Sequence, residues 1–285
     1  MMLDKNISTF IGCDSEYEDA KIVLFGAPYD STTSFRPGTR FGPPAIRNES
    51  FGIETYSPYQ DKDLLDIKVF DSGDLELPFG SPEQALKDIE ERTSIILDDG
   101  KLPFMIGGEH LVTLGAVRAV AQKNDDLHII HFDAHADLRD DYLGVKLSHA
   151  CVLHRCYDIV GDNRIFQFGI RSGEREEFEF AKAHTYMHKF DLSGLDSIVN
   201  ELADKPVYFT LDLDVLDPSE FPGTGTPEAG GVSFTELLKA VITLSKLNIV
   251  GLDMNELSPI YDQTGRSTAL ACKILREMLL SFYKY

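Results

Sequence analysis

Basic residues and cysteines are scarce in this sequence. Lysine and arginine number 27 against 47 aspartates and glutamates, for a formal net charge of −20 over 285 residues. A polyanion binder needs a basic face, so this balance argues against nucleic acid as a partner. The same acidic field serves solubility, and it suits a cationic substrate or metal ions. The four cysteines lie at positions 13, 151, 156 and 272. Cys151 and Cys156 are spaced too widely for Cys-x-x-Cys redox chemistry and read as small packing residues. No apolar run approaches the roughly 18 residues that a membrane span needs. The opening MMLDKNISTF has no basic segment followed by an apolar one. No signal peptide is therefore expected, and the chain reads as cytoplasmic with reduced thiols. No Pro/Gly/Ser linker, low-complexity tract or internal repeat interrupts it, which predicts a single domain over 1–285. Gly107-Gly108 is not followed by a GxGxxG pattern and no Walker lysine occurs, so a nucleotide-binding module has little support.

What the sequence does contain is an ordinary supply of core. Hydrophobic residues make up 43% and charged residues 26%, enough to build a sizeable interior without disulfides. Short apolar runs predict strands at 22–26, 67–71, 103–107, 128–132, 164–169, 185–189, 207–211 and 249–254. Most are continuously apolar rather than alternating, as expected of strands covered on both faces. Helical patterns lie between them. Ser81-Pro82 opens one that runs to Leu97, with Gly100 beyond its end. Ser233 and Glu236 form a capping-box pattern before a helix at 234–246. A last helix over about 267–282 aligns Leu270, Ile274, Met278 and Phe282 in one packing stripe. Repeated β-α-β order predicts a parallel sheet with right-handed crossovers. Periodicity leaves an open three-layer sheet and a closed eight-fold barrel equally available. In both, ligands bind at the carboxyl ends of the strands.

Four polar segments follow predicted strands. Gly107-Gly108-Glu109-His110 combines a sharp turn with an imidazole near the start of the next helix. Asp133-Ala134-His135-Ala136-Asp137 puts three polar groups on one face if the extended backbone continues past the strand. Asp212 and Asp214 share a face at the end of the run before Asp217-Pro218. Asp253-Met254-Asn255-Glu256 ends the strand IVGLD. A single aspartate after a strand is usually a turn or cap, and a single histidine is usually a satisfied packing residue. Six such residues in three segments are harder to assign that way. Asp133, Asp137, Asp212 and Asp214 together would be strongly unfavourable without counter-charge. Two divalent cations balance four carboxylates, and His110 and His135 join as neutral ligands. Bridging carboxylates would then set the ions roughly 3.5–4 Å apart, a spacing suited to activating a shared water. An oxygen-rich donor set with imidazole and no thiolate disfavours structural zinc and favours manganese. His149 lies a short polar loop beyond and can reach the same place as an acid–base group. His128, His131, His154, His184 and His188 are read as ordinary satisfied histidines.

At these residues the sequence resembles the ureohydrolase family, which includes arginase and agmatinase. The family pattern appears as GGEH (107–110), DAHAD (133–137) and DLDVLDPSEFPGTGT (212–226), and the likeness runs from Phe10 to the final helix. The loop SFRPGTRFGP (34–43) and the segment GIRSGEREEFE (169–179) are most similar to the bacterial agmatinase branch. The loop after Asp137 reads Leu138-Arg139-Asp140-Asp141. It lacks the asparagine-containing loop with which arginases hold the α-carboxylate of arginine.

The resemblance implies a three-layer α/β/α sandwich around a central eight-stranded, mostly parallel sheet. It implies two Mn²⁺ ions: the first held by His110, Asp133, Asp137 and Asp212, the second by His135, Asp133, Asp212 and Asp214. It implies a small cationic guanidino substrate, agmatine, hydrolysed to putrescine and urea as a metal-bridging hydroxide attacks the guanidinium carbon. Guanidinobutyrate, arginine and formiminoglutamate are the alternative substrates. Asp137 would pass a proton to the departing amine, while His149 matches the family's proton-shuttle histidine. Glu256 and Thr226 would sit in the substrate pocket, with Glu256 anchoring the guanidinium. Asp140, Asp141 or other rim carboxylates would meet the distal amine. A homo-oligomer, trimer or hexamer, is the expected assembly.

Overall fold

The computed structural model describes residues 8–284. The leader reading at positions 1–7, and the last residue of the predicted domain, lie outside the described residues. In chain order the elements are β1 (Ile22–Ala27), α1 (Gly42–Glu49), β2 (Tyr56–Ser57), β3 (Lys62–Asp63), β4 (Val69–Asp74), α2 (Pro82–Asp98), β5 (Leu102–Gly107), α3 (Thr113–Lys123) and β6 (His128–Phe132). There follow α4 (Val152–Val160), β7 (Ile165–Ile170), α5 (Arg175–His184), β8 (Tyr186–Lys189), α6 (Leu195–Glu201), β9 (Pro206–Asp212), α7 (Phe234–Leu244), β10 (Asn248–Asn255) and α8 (Arg266–Phe282). Each of the eight predicted strands corresponds to one strand of a single sheet, with ends shifted by at most three residues. The small β2–β3 hairpin was not foreseen.

The sheet is parallel throughout, in the order β4-β1-β5-β10-β9-β6-β7-β8. Successive residues of a strand serve opposite cores. Ile22 and Leu24 of β1 join one cluster with Ile46, Leu237 and Leu275, from α1, α7 and α8. Val23 and Phe25 join the other with Leu86, Val117 and Leu153, from α2, α3 and α4. Helices on both faces explain the unbroken apolar runs, and they decide for the open three-layer sandwich over the barrel. The capping box at Ser233 and Glu236 forms as expected, although its helix ends at Leu244 rather than 246. All four cysteines are buried and free, in keeping with their reading as packing residues. Among the described residues no helix is long and apolar enough to cross a membrane.

Strand order is what builds the site. β9 and β10, the last strands in sequence, insert between β5 and β6. The carboxyl ends of four adjacent strands therefore gather segments that lie as far apart as residues 110 and 256.

Candidate active site

The loop after β5 turns too tightly for a side chain. A Cβ on Gly108 would lie 2.0 Å from the Tyr29 carbonyl oxygen. Glycine there lets the Glu109 N–H donate to that same oxygen at 2.7 Å. The fully buried Glu109 carboxylate accepts from Thr32 N (2.9 Å), Thr32 Oγ1 (2.6 Å) and Thr33 Oγ1 (3.1 Å). Burial pushes this carboxyl up to about 7 despite those donors. Glu109 thereby pins the loop after β1 against the site.

His110 and His135 face opposite oxygens of Asp133 and otherwise different carboxylates. Nδ1 of His110 lies 3.1 Å from Asp133 Oδ2, 3.3 Å from Asp137 Oδ2 and 3.4 Å from Asp212 Oδ2. Its Nε2 is 2.8 Å from Thr210 Oγ1, which donates to the buried carboxylate of Asp253 at 2.6 Å. The single Thr210 proton is thus spent on Asp253, so His110 Nε2 must be the donor to Thr210. In the neutral imidazole Nδ1 then carries a lone pair, aimed at three carboxylate oxygens. Nδ1 of His135 lies 2.9 Å from Asp214 Oδ2 and 3.4 Å from Asp133 Oδ1. Asp214 Oδ2 is buried and has no hydrogen-bond donor among the described residues. Lone pairs converging in this way suit a cation placed among them, and the donors are the hard oxygens and imidazoles that divalent ions take. The arrangement can hold one cation at His110 and another at His135, with one Asp133 oxygen toward each.

The electrostatics tell the same story. Burial would depress His110, yet its contacts with Asp133, Asp137 and Asp212 hold it well above its ordinary range. Burial and the neighbouring Asp214 and Asp133 charges drive Asp212 well upward. Burial and the Asp133 charge bring Asp137 to about 7. Burial, Glu109 and Asp214 raise Glu256. Left to itself, this cluster draws in protons because it lacks positive charge.

The backbone departs from the regular alternation expected for 133–137. The strand ends at Phe132, and Asp137 enters the site through a left-handed turn, φ 53°. Glu256 is also left-handed, φ 69°. Strain of this kind in bulky residues concentrates at functional positions. Asp214 sits in a short 3-10 turn, with its N–H donating to Asp212 Oδ1 at 2.8 Å.

Above the cluster opens a cavity of about 240 Å³, lined by His110, His135, Asp137, Asp212, His149, Thr226 and Glu256. Asp133 and Asp214 lie beneath it. His149 Nε2 is 3.1 Å from Ser34 Oγ, while its buried Nδ1 has no partner. Burial and the nearby His135 and His110 push His149 down to about 4, so the ring is neutral. Asp140 and Asp141 do not line the cavity. Asp140 pairs with Arg155 at 2.8 Å and Lys146 at 3.4 Å, and Asp141 accepts from Gly144 N. The rim carboxylates are instead Glu174, 2.9 Å from Arg139, and the buried Glu177. Sequence reasoning missed Glu174, although it begins the helix after β7 and so lies at the same edge of the sheet. His131, read as an ordinary satisfied histidine, lies fully buried with its Nε2 2.8 Å from Asp133 Oδ2. Its position one strand-alternation before Asp133 was the available signal.

A parallel α/β/α sheet carrying histidine–carboxylate foci at its carboxyl edge defines a class, the metal-dependent hydrolases of small polar substrates. The chain belongs to the arginase family, which it matches over residues 20–281, and is a ureohydrolase. It is 48% identical over 279 residues to the agmatinase of Bacillus subtilis (strain 168), covering 96% of each chain. The crystal structure of a candidate agmatinase from Clostridium difficile superposes with a TM-score of 0.92 at 54% identity, over 94% of this chain and 98% of that one. The agmatine ureohydrolase of Thermoplasma volcanium gives 0.89 at 37% identity, over 98% and 95%.

Proposed function

We propose that this protein is an agmatinase, hydrolysing agmatine to putrescine and urea with two Mn²⁺ ions. The observation that carries the reading is the cavity itself, with both histidine–carboxylate foci at its floor and carboxylates at its rim. The named relatives support the same substrate. In this reading His110, Asp133, Asp137 and Asp212 hold one ion, and His135, Asp133, Asp212 and Asp214 the other. When bound, the ions supply the nucleophile by lowering the pKa of a shared water.

The remaining work falls to the protein. Glu256 receives one donor, the His110 N–H on Oε1 at 2.7 Å, which leaves Oε2 for the guanidinium. Thr226 borders the same space. Asp137 carries a proton to the departing amine. His149 exchanges protons through Nδ1, while Ser34 keeps Nε2 engaged. Glu174 takes the distal ammonium. Its side chain is 58% exposed, so its pair with Arg139 is weak and opens at little cost. We carry forward a single domain in the cytoplasm and a trimeric or hexameric assembly, which light scattering on the purified protein checks.

The deciding experiment compares urea release from agmatine, arginine and guanidinobutyrate. Agmatine is expected to show the highest kcat/KM. A preference for arginine or guanidinobutyrate would overturn the substrate while leaving the family intact.

A further inference from the structure

Resting on the metal reading above, we propose that His131 is a positioning residue for Asp133. Its Nε2–H holds that carboxylate with one oxygen toward each focus, and Gln167 on the neighbouring strand fixes the tautomer that makes this possible.

The available protons fix the tautomer. His131 and Gln167 are both fully buried, and they face each other in the register of β6 and β7. Gln167 Nε2 donates to the Ala136 carbonyl oxygen at 2.8 Å and lies 3.1 Å from His131 Nδ1. Thr185 Oγ1 donates to Gln167 Oε1 at 3.3 Å. Flipping the amide would set Oε1 against the Ala136 oxygen and Nε2 against the Thr185 hydroxyl, so the orientation is fixed by its partners. Both amide protons are then assigned, one to Ala136 and one to His131, and His131 Nδ1 must be the acceptor. A neutral imidazole has one N–H, which is left on Nε2. That atom lies 2.8 Å from Asp133 Oδ2.

Asp133 is held at both ends. Oδ1 accepts the His135 N–H at 2.5 Å and faces His135 Nδ1, whereas Oδ2 accepts from His131 and faces His110 Nδ1. Rotation of the carboxylate would lose both donors. His131 is also near enough to be considered a ligand, since its donor atom lies within 4.8 Å of those of His110 and Asp133. That role would require Nε2 to give up its proton to Nδ1, where Gln167 already presents an N–H. Donor would oppose donor in a buried space, so the geometry assigns His131 to the carboxylate and not to the metal.

The consequence is that Gln167, which among the described residues makes no hydrogen bond to a candidate ligand side chain, controls metal retention. The test starts from wild-type protein loaded with Zn²⁺ and labelled with ¹⁵N-histidine. A neutral Nε2–H pattern for His131 is expected; an Nδ1–H or metal-bound Nε2 pattern would overturn the proposal. Competition against graded chelators then gives Mn²⁺ affinities for His131→Asn, His131→Phe and Gln167→Glu. About a 10–100-fold loss is expected for His131→Phe and Gln167→Glu, as is typical when an outer partner of a ligand is removed. Partial rescue is expected in His131→Asn, which keeps an N–H donor. Loaded with Co²⁺, His131→Phe is expected to show an altered visible absorption spectrum. Wild-type affinities in all three variants would sink the proposal with the metal reading intact. A wild-type protein that retains no divalent ion would sink both.

Discussion

A single carboxylate oxygen decides much at this site. Asp214 Oδ2 is buried, has no hydrogen-bond donor and lies 2.9 Å from His135 Nδ1. An amide in its place can neither carry the charge nor offer two equivalent oxygens. Asp214→Asn is therefore expected to lower metal content from two ions to one and to cost more activity than the roughly 10–100-fold typical of outer-shell changes. Elemental analysis beside urea release checks both. On the proposed role of Glu256 as a substrate anchor rather than a metal ligand, Glu256→Gln is expected to leave metal content unchanged. Loss of a charge-assisted hydrogen bond, about 1.5–3 kcal/mol, lowers kcat/KM by about 10–150-fold. Loss of metal in that variant would show that Glu256 had been misassigned. At this scale the sequence was legible where spacing carries charge, as in DAHAD. It was silent where a residue's meaning depends on a partner strand. The string sets His131 apart from His128 only by its two-residue spacing from Asp133; that β7 places Gln167 opposite it shows only in the fold.

Secondary elements bring these residues in and hold their loops. Helix α8 starts at Arg266, next to the loop that descends from Glu256. Asp262 organises that start, accepting from Ser267 N (2.7 Å), Ser267 Oγ (2.6 Å), Thr264 N (3.0 Å) and Thr264 Oγ1 (2.5 Å). Burial alone would raise its carboxyl, but these donors outweigh burial and hold it at about 2, below the ordinary 3.8. A depressed acid contributes stability above its unfolded pKa, and loses it as pH falls through the folded value. Asp262→Ala is expected to cost about 1–2 kcal/mol near neutral pH, a loss comparable to that of an N-cap side chain. The gap to wild type should close progressively between about pH 5 and pH 1. Urea denaturation at several pH values measures it, and a gap that does not narrow over that range would contradict the assignment. The longer elements were legible because their signals are local, whether the apolar run of β9 or the Ser233–Glu236 box of α7. The left-handed turns at Asp137 and Glu256 were not. Their cost is met by contacts that close only in the fold, such as the Glu256 N–H donating to the Gly108 carbonyl oxygen.

Across the whole molecule, the order of strands matters more than their number. Eight apolar runs were readable one at a time. Their pattern could not tell a barrel from an open sheet, nor show that β9 and β10 would fill the space between β5 and β6. That insertion brings the four contributing segments together at one edge, and it is enforced by long-range packing such as Phe132 against Phe209, ring centroids 5.1 Å apart. The two apolar cores lie on the faces of the sheet and the charged cluster at its carboxyl edge. The fold should therefore stand without metal, while the edge should not be indifferent to it. Dialysis against a strong chelator is expected to leave the far-UV circular dichroism unchanged and to lower Tm. Ions that bind only the folded state stabilise it by about 2.7 kcal/mol at a hundredfold excess over Kd. For a chain of 285 residues that corresponds to a Tm shift of roughly 4–5 °C for each ion bound. Restoring Mn²⁺ should return Tm progressively with concentration, as mass action requires. Collapse of the secondary structure on chelation would mean that the charged edge, and not the two cores, holds the sheet together.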